Sequence, residues 1–387
     1  MRVGVNAQKL FITQDYRNAG VSRYIGELAR HLPAAAEDLE LVLYTNEHVR
    51  AWPGVTGRRL RLRSTRLPTT QPVLRILWEQ TALPVLAARD GVALLHCPLN
   101  VRPLVSPVPI VLTIHDLTFV RFPDRFHPLK QWYLATLTRQ SARWSRRILA
   151  DSAATKRDVE QTFAIPPDRV DVVYPGVDER YQPLDPDDPS DVAALQAFRS
   201  RHGLPDRLIL YQGTLEPRKN VDKLVAAFAR LVAGGLPHAL VLAGGKGWQY
   251  EAIYAAIEAH GLRDRVVLPG YVSREEQPLW YNSADLFVYP SQYEGFGLPP
   301  LEAMACGVPV ITSDTSSLPE VVGDAGLTID PKDVEALADA MRAVLTDTER
   351  ATAMRRAGRA RAAQFTWPAA AKACVSVYRA ALAGGGL

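Results

Sequence analysis

Cysteine is scarce in this chain: Cys97, Cys306 and Cys374 are the only three in 387 residues. They lie far apart, and none belongs to a Cys-x-x-Cys pair or a Cys/His cluster. A disulfide framework and a zinc site are therefore not expected. No apolar run reaches the roughly 18 residues a membrane-spanning helix needs. The opening MRVGVNAQKLF lacks the long apolar stretch of a secretory signal and reads as a strand that begins almost at once. A cytoplasmic location follows as the expectation. Residues 3–20 hold no G-x-G-x-x-G after that strand, which argues against a dinucleotide oxidoreductase. No aromatic-basic motif accompanies the positive charge, so nucleic acid is not an expected partner.

What is present is an ordinary globular composition, 47% hydrophobic and 22% charged, in a length that suits two domains. The net charge of +4 hides an asymmetry. Residues 1–175 hold 24 basic and 15 acidic side chains, the remainder 21 basic and 26 acidic. A basic half can attract lipid headgroups or phosphorylated substrates, although scattered arginines are also a common composition bias.

Short β-branched runs alternate with amphipathic segments along the whole chain. Strands are expected at 3–7, 41–45, 93–97, 110–115, 147–151 and 170–174, then at 208–213, 239–243, 266–269, 285–289, 308–312 and 326–329. Most are continuous apolar runs, the pattern of parallel strands covered on both faces. Helical spacing marks 21–31, 222–232 and 248–260. Such alternation means α/β with parallel sheets. Between Tyr181 and Gly203 the sequence is rich in Pro and Asp and has no strand pattern, so a linker is expected there. Its Asp185-Pro-Asp187 matches a metal-binding D-x-D, but a polar turn explains two acids between prolines better, and no metal is expected.

The most informative stretch is residues 285–319, DLFVYPSQYEGFGLPPLEAMACGVPVITSDTSSLP. A strand ends at Pro290, Glu294 follows on a loop, and Gly295-Phe296-Gly297 leads to a helix start near Pro299–Pro300, where proline fits the first turn. Glu302 falls in that turn, eight residues after Glu294. Glycines let backbone N–H groups approach a ligand, and a helix N-terminus favours phosphate. A carboxylate at either end of such a loop can accept hydrogen bonds from sugar hydroxyls. Taken alone, a carboxylate favoured by the helix dipole and plain turn glycines explain the pattern as well.

Glu294 and Glu302 within EGFGLPPLEAMACGVPVI resemble the signature of family 4 of the retaining glycosyltransferases. That resemblance covers essentially the whole chain. It implies the GT-B fold: two Rossmann-like α/β domains facing each other across a cleft, with a C-terminal helix crossing back to the first. The implied boundaries are an acceptor-binding domain at 1–178, a linker at 179–205, a nucleotide-sugar-binding domain at 206–365 and the returning helix at 366–387. It further implies that Glu294 contacts the donor hexose and Glu302 the ribose, with Gly295, Phe296, Gly297 and Leu298 against the donor.

Other landmarks follow in the family's order. Gly213-Thr-Leu-Glu-Pro-Arg-Lys-Asn220 comes straight after a strand, where open α/β sheets bind ligands. Arg218 and Lys219 there could meet the negative charge that builds on a departing diphosphate. The family's common arginine after the glycine is replaced by Thr214, and Arg218 is the expected substitute. His115, at the end of the 110–115 strand, resembles the histidine that contacts the donor sugar or the reacting centre, with Asp116 orienting it or meeting the acceptor. Asn18-Ala-Gly-Val-Ser-Arg-Tyr24 resembles the glycine loop beside donor phosphate and acceptor, where Gly20 and Val21 would offer amides. Ser152 and Lys156 match a further acceptor-side stretch beginning at Asp151, and 173–178 matches an interdomain hinge. Gly244, Gly245 and Lys246 would line the nucleotide, Tyr271 and Val272 its base, and Thr315, Ser316 and Leu318 the diphosphate or base.

The resulting expectation is a metal-independent, retaining hexosyltransferase with no cofactor. YQGTLEPRKN and LAGGKGWQYE resemble bacterial mannosyltransferases of polysaccharide assembly, which makes GDP-mannose the first choice of donor, with UDP- or dTDP-hexoses as alternatives. A glycan or lipid-linked glycan is the expected acceptor. Arg58-Arg59-Leu-Arg61-Leu-Arg63 and a helix over 132–147, with Trp144, Arg146 and Arg147, could meet an anionic membrane, or both could be solvated faces. A sugar-nucleotide epimerase and a non-catalytic nucleotide-sugar sensor on the same fold are the readings from other classes.

Overall fold

The computed structural model describes residues 1–12, 20–52 and 59–384. The chain forms two compact units, one of residues 1–176 with 366–387 and one of residues 177–365.

In the first unit seven parallel strands run β1 (Arg2–Ala7), β2 (Glu40–Thr45), β3 (Leu60–Ser64), β4 (Leu94–Cys97), β5 (Ile110–Ile114), β6 (Arg147–Ala150) and β7 (Val170–Val172). Their order in the sheet is β3-β2-β1-β4-β5-β6-β7. The interior strands are buried apart from the first residue of β1, β2 and β6, and IVLTI in β5 is buried throughout, because helices cover both faces. On the helix Val21–Ala35, Ile25, Leu28, Ala29 and Leu32 recur at helical spacing and are buried. That helix packs against the last one, Trp367–Ala383, whose Trp367, Cys374 and Tyr378 enter the same core. The Tyr378 hydroxyl lies 2.8 Å from His96 Nδ1 in β4 and ties this helix to the sheet. Gly176 is needed where the chain passes that helix, since a Cβ there would sit 2.1 Å from the Trp367 nitrogen.

Edge strand β3 was not among the expected strands. The basic run, for which a membrane contact and a solvated face were both open, is a strand paired in parallel with β2. Its period of two puts Arg61 and Arg63 on one face, at 3.9 and 3.3 Å from Asp90. Arg59 reaches the Ala36 and Glu37 carbonyls, while Arg58 lies outside the described residues. Arg147 is likewise spoken for: it forms a two-pronged pair with Asp171 at 2.9 and 2.6 Å.

The second unit holds six parallel strands: β8 (Leu208–Gln212), β9 (Ala239–Ala243), β10 (Val266–Gly270), β11 (Leu286–Tyr289), β12 (Val310–Ser313) and β13 (Leu327–Ile329). Their order is β10-β9-β8-β11-β12-β13. The Pro/Asp-rich stretch expected as linker contributes to this unit. Asp188 caps a helix over Pro189–His202, and Asp185 accepts a hydrogen bond from the Asp187 nitrogen at 2.9 Å. Phe198 of that helix is buried edge-on against Trp280. The helix escapes a periodicity search because Phe198 is its single fully buried residue.

Candidate active site

Each sheet reverses its strand order once, and the C-terminal strand ends beside the reversal are where open α/β sheets bind ligands. In the second sheet that point lies between β8 and β11. The loop after β8 carries Gly213–Lys219, and the loop after β11 carries Ser291–Gly297.

The β8 loop is zipped to the loop after β9. Leu215 N donates to Gly245 O, and Gly247 N donates back to Leu215 O, both at 2.9 Å. Leu215 and Lys246 form an isolated parallel bridge. This approach requires glycine: a Cβ on Gly244 would lie 1.8 Å from Gly213 O. Thr214 is exposed beside them, and Lys246 lies over the Tyr250 and Tyr254 rings at 4.8 and 5.2 Å. A short 3-10 turn over Pro217–Lys219 then aims Lys219 inward, and Asn220, at φ 59°, starts the helix Val221–Ala233.

Lys219, buried, and Glu294, partly buried, meet there as an ion pair. Lys219 Nζ also donates to the Tyr289 hydroxyl at 2.6 Å and sits 5.0 Å from the centre of that ring. Burial pulls the ammonium pKa down, against the attraction of Glu294. Glu294 Oε1 accepts from Ser291 Oγ at 2.5 Å and lies 3.2 Å from Arg218. Burial works against its charge, but Lys219 and then Arg218 drive its carboxyl down to about 2. The cluster is thus pre-formed, with opposite charges holding one another.

Arg218 is positioned differently from the sequence expectation. Its guanidinium bonds Glu216 at 2.9 Å and the Tyr293 carbonyl, so it clamps the Glu294 loop instead of standing as an open charge. Thr315 and Ser316 act in the same way. Thr315 donates to Gln292 O at 3.0 Å and Ser316 to Glu294 O at 2.6 Å. Gly295 and Phe296 continue the loop, Phe296 packing on Phe365. Gly297, at φ 126°, precedes the helix Leu298–Ala305. Glu302 lies inside that helix, buried, and accepts from the Tyr281 hydroxyl at 2.8 Å. After β10, Val272 is buried in the core while Tyr271 is exposed.

In the first unit His115 follows β5 and Asp151 follows β6. His115 Nδ1 is 2.7 Å from Asp151 Oδ2, and Nε2 is 3.1 Å from the Pro98 carbonyl. The carbonyl can only accept, so Nε2 donates to it, and an ionised Asp151 accepts from Nδ1, although burial raises the Asp151 carboxyl as well. Burial opposes a charge on the ring, but Asp151 outweighs it and raises the imidazole above its ordinary 6.5. Tyr24 packs edge-on to the ring at 4.8 Å. The residue that orients His115 is therefore Asp151 and not Asp116, which accepts from the Thr118 nitrogen at 2.8 Å. The other expected acceptor-side residues make contacts within the first unit. Ser152 caps the helix Ala153–Phe163, and Lys156 donates to the Pro167 and Val170 carbonyls at 3.0 and 2.8 Å. Gly20, at φ 54°, precedes Val21 at the start of helix Val21–Ala35, while Asn18 and Ala19 lie outside the described residues. Among the described residues no group of three or more His, Cys, Asp or Glu is placed to hold a metal ion, and no helix is long and apolar enough to cross a membrane.

The sequence reading gave no role to Glu216 or Tyr289, and it placed Asp151 in the acceptor-side stretch without its pairing to His115. A signal existed for Asp151: β5 and β6 pair Ile114 with Ala150, so the next residues on both strands are neighbours.

Two α/β units with parallel sheets are the architecture of the GT-B fold. The chain belongs to the family 4 glycosyltransferases: residues 18–181 match the family model Glycosyltransferase Family 4, and residues 195–361 match Glycosyl transferases group 1. It is 35% identical over 272 residues to the O-antigen chain mannosyltransferase B of Escherichia coli, a match covering 70% of each chain. It is 34% identical over 250 residues to the D-inositol 3-phosphate glycosyltransferase of Segniliparus rotundus, covering 63% of this chain and 54% of that one. Among solved structures, the sucrose-phosphate synthase of Thermosynechococcus elongatus superposes with a TM-score of 0.77 at 22% identity, covering 99% of this chain and all of that one. The Anabaena protein HepE in complex with UDP-glucose superposes at 0.73 and 17% identity, covering 98% of this chain and all of that one.

Proposed function

We propose that this glycosyltransferase is a retaining, metal-independent hexosyltransferase, with mannose from GDP-mannose as its first-choice donor and a glycan or lipid-linked glycan as acceptor. The observation that carries the reading is the Lys219–Glu294 ion pair at the reversal of the second sheet. A cation fixed at that point can stabilise the negative charge that develops on a departing diphosphate, with no reorganisation at the moment of reaction. In this reading Glu294 receives hexose hydroxyls, Glu302 the ribose, and the Gly213–Thr214, Gly244–Lys246 and Gly295–Leu298 backbones lie along the donor. Tyr271 and Val272 flank the base. The roles proposed for the first unit are an electrostatic one for His115 and amide donation by Gly20 and Val21.

The chemistry is a front-face displacement. The anomeric carbon–oxygen bond to the diphosphate breaks, the acceptor oxygen bonds the same carbon, and the acceptor proton passes to the departing phosphate oxygen. The similarity to an O-antigen mannosyltransferase supports mannose. A lipid-linked acceptor would bring the first unit to a bilayer, for which exposed Trp132 and Trp144 on the helix Pro128–Trp144 are suited. The test is transfer to a mannose-terminated glycoside from GDP-mannose, UDP-glucose and dTDP-hexoses, followed by mass spectrometry with and without chelator. The reading predicts transfer from GDP-mannose, retained configuration and no loss with chelator. Transfer that fails in chelator and returns with Mg²⁺ would contradict it.

A further inference from the structure

The cation at the reversal of the second sheet is a lysine, a point charge on a flexible four-carbon stem. Electrostatic catalysis needs such a charge fixed before the reaction. Its ion-pair partner Glu294 is itself given to hexose hydroxyls in the reading above, so the ammonium needs a second anchor. One comes from the end of β11. Tyr289, buried there, accepts a hydrogen bond from Lys219 Nζ at 2.6 Å, and the ammonium lies 5.0 Å from the centre of its ring. Burial, and then the Glu294 carboxylate, raise the phenol well above its ordinary 10, so it stays neutral beside the ammonium.

The ring is held in turn. It stacks on Tyr211 of β8 at 5.7 Å with 14° between the planes, and on Phe287 of β11 at 6.0 Å with 16°. The Tyr211 hydroxyl donates to Thr214 O at 3.1 Å, which ties the stack to the β8 loop. A phenylalanine would serve that stack as well as Tyr289 does. What the tyrosine adds is a hydroxyl, and that hydroxyl lies on Lys219.

The donors and acceptors can be counted. An ammonium has three N–H groups, and Tyr289 and Glu294 take two of them. On the carboxylate, Lys219, Ser291 and Arg218 all meet Oε1. These contacts leave one N–H of Lys219 and Oε2 of Glu294 for a ligand. The Lys219 side chain keeps 9% of its surface exposed, so a ligand can reach it.

We propose that Tyr289 is a positioning residue for Lys219, its hydroxyl and ring holding the ammonium so that the remaining N–H meets the diphosphate of the donor. The diphosphate rests on the glycosyltransfer reading above; the hold on Lys219 does not.

The test has two readouts, and the first needs no substrate. It is NMR titration of the Lys219 Cε signal in the full chain, assigned by its absence from Lys219→Met. A hydrogen-bond acceptor favours the charged form, so Tyr289→Phe should move the Lys219 titration to lower pH by about half a pH unit or more. The charged groups around Lys219 are Glu294, Arg218 and Glu216, and this variant changes none of them. Tyr211→Phe removes the neighbouring hydroxyl of the same stack and should leave the titration in place.

The second readout is the rate of transfer from GDP-mannose. Tyr289→Phe should lower kcat about tenfold with the donor KM within about threefold, the sign of an interaction made in the transition state. The alkaline limb of its kcat profile should move to lower pH. Added to Lys219→Met it should cost less than about twofold more, because two residues acting as a unit are not additive. Thermal melts show whether each variant is folded, and Tyr289→Met replaces Tyr289→Phe if that one is not. An unmoved Lys219 titration, an equal movement in Tyr211→Phe, or a double variant whose loss is the product of the two single losses overturns the proposal. A moved titration in a protein that transfers no sugar from any nucleotide sugar keeps the hold on Lys219 and sinks the glycosyltransfer reading. Full transfer with an unmoved titration in Tyr289→Phe overturns the positioning role and leaves the glycosyltransfer reading standing.

Discussion

His115 and Asp151 end adjacent parallel strands, and the register of β5 against β6 brings Nδ1 within 2.7 Å of Oδ2. With Pro98 O on the second nitrogen, the ring has no lone pair free to accept a proton.

The folded-state pKa of His115 lies above its ordinary 6.5, so the stabilisation it supplies is complete below about pH 6.5 and is lost as pH rises through the elevated value. The stability gap between wild type and His115→Gln is therefore expected to narrow as pH increases. Denaturant midpoints from pH 5 to 9 measure this. NMR titration of the ring in Asp151→Asn should show its pKa moving down. A gap that widens with pH contradicts the imidazolium assignment.

Glu294 has the opposite sign. Its carboxyl is held at about 2, below an ordinary 4.5, so its stabilisation is present above 4.5 and is lost as pH falls toward 2. Lys219→Met removes the stronger of the two attractions that lower this value. Acid unfolding monitored by circular dichroism should then shift to higher pH. Loss of a preorganised electrostatic group should also cost transfer about 10²–10³-fold. Near-wild-type transfer in the variant counts against the role of Lys219.

The two neighbouring glycines after β9 should respond differently to alanine. A Cβ at Gly244 collides with the Gly213 carbonyl, whereas nothing lies within 4 Å of one at Gly245. Overpacking of this kind costs about 1–3 kcal/mol or more, and the displaced loop should lose nucleotide affinity. Gly245→Ala should stay within about 0.5 kcal/mol of wild type. Paired thermal melts test the contrast.

Tyr281→Phe takes away the hydrogen bond that Glu302 accepts at 2.8 Å. Loss of one hydrogen bond to a buried carboxylate costs about 1–3 kcal/mol. The variant should unfold earlier and, if Glu302 meets the ribose, bind the nucleoside more weakly. Unchanged nucleoside affinity would assign Glu302 to the core alone.

Much of the scaffold was readable because its information is local. Runs such as LVLA in β9 and LFVY in β11 are wholly buried, and continuous apolarity reports that directly. Strand β3 was hidden because LRLRS has arginines on its open face, and only the position of Asp90 in space explains them. The loop carrying Glu294 was legible from its glycines and prolines. The commitment of Arg218 to Glu216 and Tyr293, and of Lys156 to two carbonyls, was not, since charge alone does not reveal a side chain's partner. Asp151 lay between these cases: its pairing with His115 needed only the strand register.

The most direct test of the account is a thermal-shift titration of GDP, UDP, dTDP, ADP and their sugar conjugates against wild type and Lys219→Met, without metal. A ligand at 100 times its dissociation constant adds about 2.7 kcal/mol of stability. The account predicts a clear shift with GDP-mannose in the wild type and a much smaller one in Lys219→Met. A flat response to every nucleotide sugar, or an equal shift in both proteins, would contradict the claim that the Lys219–Glu294 pair holds the donor.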